Sequence, residues 1–152
     1  MVRIERMRRE HVDAVYEIEL TSFAIPWTKG EFYKELEENK NSVYFVATDG
    51  CDVVGYAGMW HIVNEGHITN VAVRENARRR GVGGLLLGAL IREAEKREMI
   101  GLTLEVRMGN EKAQRLYTKY GFKPEGLRRN YYSDTREDAI IMWKYLGAYD
   151  DP

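Results

Sequence analysis

The sequence predicts one α+β domain over residues 1–152, with a mixed sheet of about six or seven strands and helices on both faces. Three observations predict this class. Short apolar runs typical of strands occur between segments of helical periodicity. The length of 152 residues suffices for a single core. The strand-like runs 67–73 and 101–106 flank a long helical segment, so a right-handed crossover should place them side by side and parallel.

The first half of the chain is predicted to contain two helices and four strands. Pro26 separates the helices, because proline lacks a backbone donor and restricts the residue before it. Thr28 with Glu31 three residues later matches a capping box, so the second helix begins there. The predicted elements are a strand over 2–7, a helix over 10–23, a helix from Thr28 to near 39–41, and strands over 42–48, 53–63 and 67–73.

The second half is predicted to contain two further helices and three strands. In the run 101–106, Thr103 and Glu105 alternate with apolar residues and therefore point to the opposite face of the strand. Asn110 should cap the following helix, and Gly121 should end it. The predicted elements are a helix over 82–97, a strand over 101–106, a helix over 110–120, strands over 122–132 and 139–146 joined by a polar turn, and a short tail over 150–152.

Composition argues against several classes of function. The net charge is −1 and the arginines are clustered, which argues against a general nucleic-acid binder. A single cysteine, Cys51, excludes an internal disulfide, and no Cys/His spacing suits zinc, so no metal site is expected. No apolar run approaches the roughly 18 residues of a membrane helix, and the charged N-terminus is unlike a signal peptide. We therefore expect a cytoplasmic protein without a membrane partner; the sequence does not indicate its oligomeric state.

A glycine-rich loop between the strand at 67–73 and the next helix indicates an anion site. Residues 78–84 read Arg-Arg-Arg-Gly-Val-Gly-Gly. Glycines allow a ligand to approach the backbone, and free N–H groups at a helix start attract anions. The spacing fits neither a mononucleotide P-loop nor a dinucleotide-binding Rossmann loop, but it fits R-x-x-G-x-G. On this pattern alone, a phosphate cradle and a helix start with exposed arginines are equally good interpretations.

Further motifs, in the same order and over nearly the whole chain, resemble the GNAT superfamily of acetyl-CoA-dependent N-acetyltransferases. Some of these motifs are more specific and resemble the protein N-terminal acetyltransferases. Among these, the resemblance is to the enzymes that act on the N-terminal alanine of protein eighteen of the small ribosomal subunit. The resemblance implies a GNAT-like fold and an acyltransferase working by direct attack in a ternary complex. The motifs are Arg78 to Gly83, Leu-Glu-Val-Arg at 104–107 with Asn110, A-x-x-L-Y-x-x-x-G-F at 113–122, Pro26-Trp27, the run 128–132, and Glu-Asp-Ala-x-x-Met at 137–142.

The same resemblance implies where acetyl-CoA binds. It would lie between the two central strands, with its pantetheine and thioester on backbone groups of the strand at 67–73. Its pyrophosphate would lie on the amides of the glycine-rich loop at 78–84, called here the arginine loop. Backbone N–H groups suit a pyrophosphate because they are fixed donors without rotamer entropy. The implied cofactor-binding residues are Val71, Ala72, Val73, Arg79, Arg80, Gly81, Val82, Gly83, Gly84 and, near the thiol end, Asn110.

Glu105 and Tyr117 are the candidate base and acid. An α-amino group has a pKa of about 8 and is mostly protonated at neutral pH, so a base must take its proton. Glu105 would do so directly or through a water, while the Tyr117 phenol would protonate the departing thiolate. The Val73 N–H is the candidate oxyanion donor. Apart from the family motifs, Glu105 would be interpreted as a solvent-facing strand residue and Tyr117 as a core-edge aromatic.

Five residues are expected to frame the peptide slot: Pro26, Trp27, Asn130, Tyr131 and Tyr132. Ordinary packing between a loop and a hairpin explains the same pattern equally well. Neighbouring residues on a strand point to opposite faces, so one of the two tyrosines could be structural.

Other functions remain open at this point. A lysine or small-amine acetyltransferase shares the chemistry, although a lysine pKa of about 10.4 makes deprotonation harder. A non-catalytic acyl-CoA-binding regulatory module would keep the arginine loop but need neither Glu105 nor Tyr117. Direct nucleic-acid binding by residues 78–80 is the least supported. Arg128 and Arg129 are expected to be solvated, or to meet an acidic partner surface.

Overall fold

A computed structural model describes residues 1–147 and shows a mixed sheet of seven strands with four α-helices. The predicted tail at 150–152 lies outside the described residues. The strands are β1 (Val2–Arg6), β2 (Ser42–Asp49), β3 (Asp52–Ile62), β4 (Glu65–Val73), β5 (Gly101–Arg107), β6 (Lys123–Arg128) and β7 (Ala139–Tyr145). The helices are α1 (Val12–Ser22), α2 (Lys29–Glu37), α3 (Val82–Lys96) and α4 (Glu111–Lys119), with 3-10 turns at Arg9–His11 and Glu75–Ala77.

The strand order is β1-β2-β3-β4-β5-β7-β6, and every neighbouring pair is antiparallel except β4 and β5. The α3 crossover connects this parallel pair, as predicted. The predicted α+β class with a mixed sheet is therefore confirmed. None of the helices within residues 1–147 is long and apolar enough to span a membrane.

Two hydrophobic clusters cover opposite faces of the sheet, because neighbouring strand residues alternate between them. Leu86 and Leu90 of α3 belong to the first cluster, together with Tyr117 of α4. Ile18 of α1 and Phe32 of α2 belong to the second. The prediction of helices on both faces is thus confirmed.

The predicted helix starts are also present. The Glu31 N–H donates to Thr28 Oγ1 at 3.1 Å, and the Thr28 N–H donates to the Glu31 carboxylate at 3.4 Å. The Ala113 N–H donates to Asn110 Oδ1 at 3.2 Å at the start of α4. Local side-chain chemistry therefore sets where α2 and α4 begin.

The predicted strand over 122–132 is wrong in its second half. β6 ends at Arg128, and residues 129–138 form a connecting loop, called here the 129–138 loop. Asn130 adopts a left-handed conformation with φ 53°, and its N–H donates to Asp138 Oδ1 at 2.9 Å. An extended strand cannot continue through this conformation. β6 is an edge strand, and all six of its residues are exposed.

The parallel pairing of β4 with β5 is short. Glu65–His67 pair with Gly101–Thr103, and beyond these residues β4 and β5 no longer pair with each other. On its other side β4 carries a bulge, since Gly58 pairs with Asn70 and Met59 pairs with Ile68, leaving Thr69 without an opposite residue. Bulges bend a strand and end regular pairing. The resulting separation of β4 from β5, called here the splay, forms the opening described below.

Gly58→Ala should destabilise the sheet. Gly58 lies opposite Tyr44, and an added Cβ would lie 2.1 Å from a carbon of the buried Tyr44 ring. We expect a loss of about 1–3 kcal/mol of stability and a melting temperature several degrees lower. Gly88→Ala in α3 is the control, because among the described residues its Cβ would meet only the end of Arg92, at 3.3 Å, and alanine favours the helix. Equal melting temperatures for the two variants would contradict this account.

Candidate active site

A cleft of about 810 Å³ opens at the splay. Its floor consists of residues from the separating strands, and its walls come from three other segments. These are the end of α1 with the chain after it, the 129–138 loop, and α4. The lining includes residues 22–25, 68–71, 104–107, 131–135, Asn110, Ala113, Tyr117 and Glu137.

Glu105 and Tyr117, the candidate base and acid, both line this cleft. Glu105 lies on β5 and is half-buried, whereas Tyr117 projects from α4 and is 9% exposed. The Tyr117 ring packs edge-on against Phe122 with centroids 5.7 Å apart. Burial raises the pKa of the Tyr117 phenol above its usual value. Tyr117 is therefore protonated at neutral pH, as a proton donor must be.

Glu105 also forms an ion pair that the sequence did not reveal. Arg128 Nε lies 3.4 Å from Glu105 Oε1, and the Arg128 guanidinium lies over the Tyr131 ring, 5.6 Å from its centroid. Arg128 is solvated as expected, since its side chain is 55% exposed, and the ion pair with Glu105 is an additional contact. The contact depends on β6 reaching the cleft by way of β7, which local sequence patterns cannot show.

Arg107 attaches the 129–138 loop to β5. Its guanidinium donates to both Asp134 carboxylate oxygens at 3.0 Å, to Thr135 Oγ1 at 3.2 Å and to Glu137 at 3.4 Å. It also stacks on the Tyr132 ring, 4.0 Å from its centroid. The Arg107 hydrogen bond lowers the pKa of Asp134, while bonds from Thr135 and the backbone lower the pKa of Glu137. Arg107 thus fixes the 129–138 loop relative to Glu105, which lies two positions earlier on β5.

The 129–138 loop places two of the predicted peptide-slot residues in the lining. Tyr131 and Tyr132 both line the cleft, with rings 5.1 Å apart and nearly perpendicular. Because they lie in a loop and not on a strand, the expected separation onto opposite faces does not apply. Burial raises the pKa of Tyr132 to about 12. Asn130 is exposed and outside the lining.

Pro26 and Trp27 are also outside the lining, and the residues just before them take that place. Trp27 packs against Phe32 and Tyr44, with ring centroids 5.3 and 6.4 Å away. The backbone N–H of Trp27 donates to the Glu19 carboxylate at 2.8 Å. The Trp27 side chain therefore anchors the loop between α1 and α2 to the core.

The arginine loop has a set of free backbone donors. In the described part of the chain, the N–H groups from Arg79 to Gly84 have no backbone acceptor, and the first bond of α3 runs from Leu85 N to Gly81 O at 3.1 Å. Gly81 has φ 74° and Arg79 has φ 69°, both left-handed. Such a concave run of N–H groups at a helix start suits a phosphate anion.

The loop lies beside the end of β4 and beside α4. Arg78 Nε donates to Val73 O at 3.1 Å, and a Cβ on Gly83 would lie 3.3 Å from Leu116 and 3.8 Å from Val73. A Cβ on Gly84 would lie 2.3 Å from the Tyr120 hydroxyl, so close packing of α3 against α4 explains that glycine. α4 therefore lies against the arginine loop at Leu116 and also carries Tyr117, which lines the cleft.

A buried polar network borders the cleft, and sequence reasoning missed it. The Tyr56 hydroxyl donates to Glu19, which is 1% exposed, and Asn70 Nδ2 donates to the Tyr56 oxygen at 3.4 Å. Burial raises the pKa of both Glu19 and Tyr56. The sequence signal that could have revealed this network is Glu19 itself, an acidic residue within the apolar stripe of α1.

Residues 12–122 match the family described as the Acetyltransferase (GNAT) family. The chain belongs to the GNAT family. This GNAT chain is 42% identical over 140 residues to a Bacillus subtilis (strain 168) protein provisionally named ribosomal protein bS18-alanine N-acetyltransferase, covering 92% of this chain and 93% of the relative. It is therefore an acyltransferase, and GNAT acetyltransferases use acetyl-CoA.

Solved structures agree with this GNAT fold. The ribosomal-protein-S18-alanine N-acetyltransferase from Escherichia coli is similar with a TM-score of 0.86 and 35% identity, over 97% of each chain. Ard1 from Thermoplasma volcanium is similar with a TM-score of 0.87 and 31% identity, over 96% of this chain and 98% of that one. The predicted GNAT-like fold is confirmed.

Arg107→Met should loosen the 129–138 loop, because it removes every polar contact of the guanidinium while keeping an unbranched side chain. We expect faster tryptic cleavage at Arg129 and Arg136, measured by mass spectrometry against the uncleaved chain. Arg115→Met is the matched control, since Arg115 is exposed on α4 and its one ion pair within residues 1–147 is with Glu111, at 4.0 Å. Cleavage at the wild-type rate in Arg107→Met would show that the anchor is unimportant.

Proposed function

We propose that this enzyme is a protein N-terminal acetyltransferase that transfers the acetyl group of acetyl-CoA to the N-terminal alanine of ribosomal protein bS18. The observation that carries the proposal is the meeting of Glu105 and Tyr117 in one cleft at the splay. The names of the Bacillus subtilis and Escherichia coli relatives support the substrate. No direct contact with nucleic acid is part of the proposal.

The arginine loop and β4 are proposed to hold acetyl-CoA. The N–H groups from Arg79 to Gly84 would bind its pyrophosphate, with Arg79 and Arg80 contributing charge. The β4–β5 pairing ends at His67. Within the run Val71, Ala72 and Val73, the backbone groups that point away from β3 therefore have no partner on β5 and are available to the pantetheine and thioester. Asn110 uses its Oδ1 to cap α4, which leaves its amide N–H₂ group for the thiol end.

Glu105, Val73 and Tyr117 are proposed to carry the chemistry. Glu105 takes a proton from the substrate ammonium group, directly or through a water. The amine then attacks the thioester carbon, and the Val73 N–H stabilises the oxyanion. As the C–N bond forms and the C–S bond breaks, Tyr117 protonates the sulfur and regains a proton from the nitrogen. One proton is released overall, and no acyl-enzyme forms.

The cleft walls are proposed to hold the peptide. Phe23 and Ile25 on one side are 37% and 65% exposed, and Tyr131 on the other is 48% exposed. Exposed aromatic and apolar side chains around a cleft commonly mark a binding site. Tyr132 lies between this surface and Arg107. The contributions predicted for Pro26, Trp27 and Asn130 would be indirect, through the position of the two loops.

A panel of otherwise identical peptides tests the substrate. We expect release of the coenzyme A thiol with a free N-terminal alanine, and none when that alanine is already acetylated, even if an internal lysine is present. At neutral pH a larger fraction of an α-amino group than of a lysine side chain is in the neutral form that attacks, because their pKa values are about 8 and 10.4. Thiol release that requires only the internal lysine would overturn the proposed substrate class.

Glu105→Gln should lower kcat by about 10²–10⁴-fold, because the amide cannot take the proton. Tyr117→Phe should also slow the chemical step. Calorimetry should show unchanged acetyl-CoA affinity in both variants. Glu111→Gln is the control, since Glu111 has an exposed carboxylate and lies outside the cleft lining. A Glu105→Gln enzyme with wild-type turnover would remove Glu105 from the mechanism.

A further inference from the structure

Two buried side-chain polar atoms within residues 1–147 lack a hydrogen-bond partner, and both belong to residues that line the active-site cleft. They are Oγ of Ser22, at the end of α1, and Oδ1 of Asn70, on β4. Asn70 as a whole is 6% exposed. Unpartnered buried polar atoms are rare and costly, so two on residues that line the same cleft indicate groups that a ligand satisfies.

The buried network fixes the direction of the Asn70 amide. The Glu19 carboxylate accepts hydrogen bonds from the Trp27 N–H and from the Tyr56 hydroxyl. Since Tyr56 gives its hydrogen to Glu19, its oxygen can only accept from Asn70. Asn70 must therefore turn its N–H₂ group toward Tyr56, at 3.4 Å, and its carbonyl oxygen away from it. Asn70 is therefore a hydrogen-bond acceptor of fixed orientation in the floor of the cleft.

Asn70 and Glu105 lie on the same face of the sheet, on the two strands that separate. Ala72, two residues after Asn70, packs in the cluster under α1 and α2. Leu104 and Val106 pack in the opposite cluster, so Glu105 between them faces the side of Asn70. An attacking amine directs its lone pair at the carbonyl carbon and its two N–H bonds elsewhere. Glu105 accounts for one of these bonds and leaves the other without an acceptor.

We propose that Asn70 Oδ1 accepts a hydrogen bond from the substrate's N-terminal amino group, and that Ser22 Oγ bonds to the main chain of the substrate's first residue. Tyr56 and Glu19 are positioning residues that act through Asn70. This inference rests on the proposed function, because it requires a peptide N-terminus in the cleft. It adds the groups that orient the nucleophile to those that move protons.

Asn70→Leu and Asn70→Ala test the acceptor with two peptides, one beginning with alanine and one with a propionyl group that lacks only the amine. Binding is measured on the enzyme saturated with coenzyme A. Wild type should prefer the amine, and both variants should lose this preference. The kcat/KM for the alanine peptide should fall about 10- to 100-fold, with unchanged coenzyme A affinity. Tyr56→Phe should show a smaller loss, because Asn70 remains but can rotate.

Ser22→Ala separates binding from stability. Removing a buried hydroxyl that has no partner should leave the melting temperature unchanged or higher, yet raise the peptide KM several-fold. Thr103→Val is the control, and it should affect stability but not binding. It removes a buried hydroxyl that donates to Met142 O at 2.9 Å outside the cleft, so it should lower the melting temperature and keep the amine preference.

The outcomes distinguish the inference from the function on which it rests. If wild type acetylates the alanine peptide and both Asn70 variants retain its kcat/KM and the amine preference, the inference is wrong and the proposed function stands. If wild type acetylates no peptide N-terminus, both fail. Should Asn70→Leu not bind coenzyme A, Asn70→Ala and Ser22→Ala decide the result.

Discussion

The pairing between β4 and β5 ends after His67 and Thr103, and the other parts of the site depend on where it ends. Backbone groups beyond that point have no strand partner within the pair, so a ligand can use them. The bulge at Thr69 and the α3 crossover act at the same place: one bends β4 away, and the other begins at the carboxyl end of β4. The cleft is therefore part of the folded sheet, and no hydrogen bond between β4 and β5 has to break to form it.

The two loops that wall the cleft are each attached by one charged residue. Arg107 attaches the 129–138 loop to β5, and Glu19 attaches the chain after α1 through the Trp27 N–H. Both charges have several hydrogen-bond partners, which offsets the cost of removing them from water. Because these attachments begin on α1 and β5, the walls keep a defined distance from the floor, and this is a condition for orienting a nucleophile.

Local patterns predicted the elements well where local chemistry decides. The capping box at Thr28, the N-cap at Asn110, the crossover helix and the alternation around Glu105 all depend on residues a few positions apart. The end of β6 was missed because Asn130 takes a left-handed conformation, which is stabilised by the hydrogen bond that its backbone N–H donates to Asp138. Arg128, Arg107 and the Glu19 network were missed for a related reason. Each contact joins residues far apart in sequence, and no periodicity records which strands become neighbours.

The exposed edge strand β6 has a consequence for the behaviour of the molecule in concentrated solution. Its residues include Lys123, Pro124, Glu125 and Arg128, and its pairing with β7 is irregular between Pro124 and Gly126. Charges, a proline and an irregular register all discourage a foreign strand from adding to a sheet margin. Fibrillar growth from this side is therefore opposed, even though the margin is uncovered.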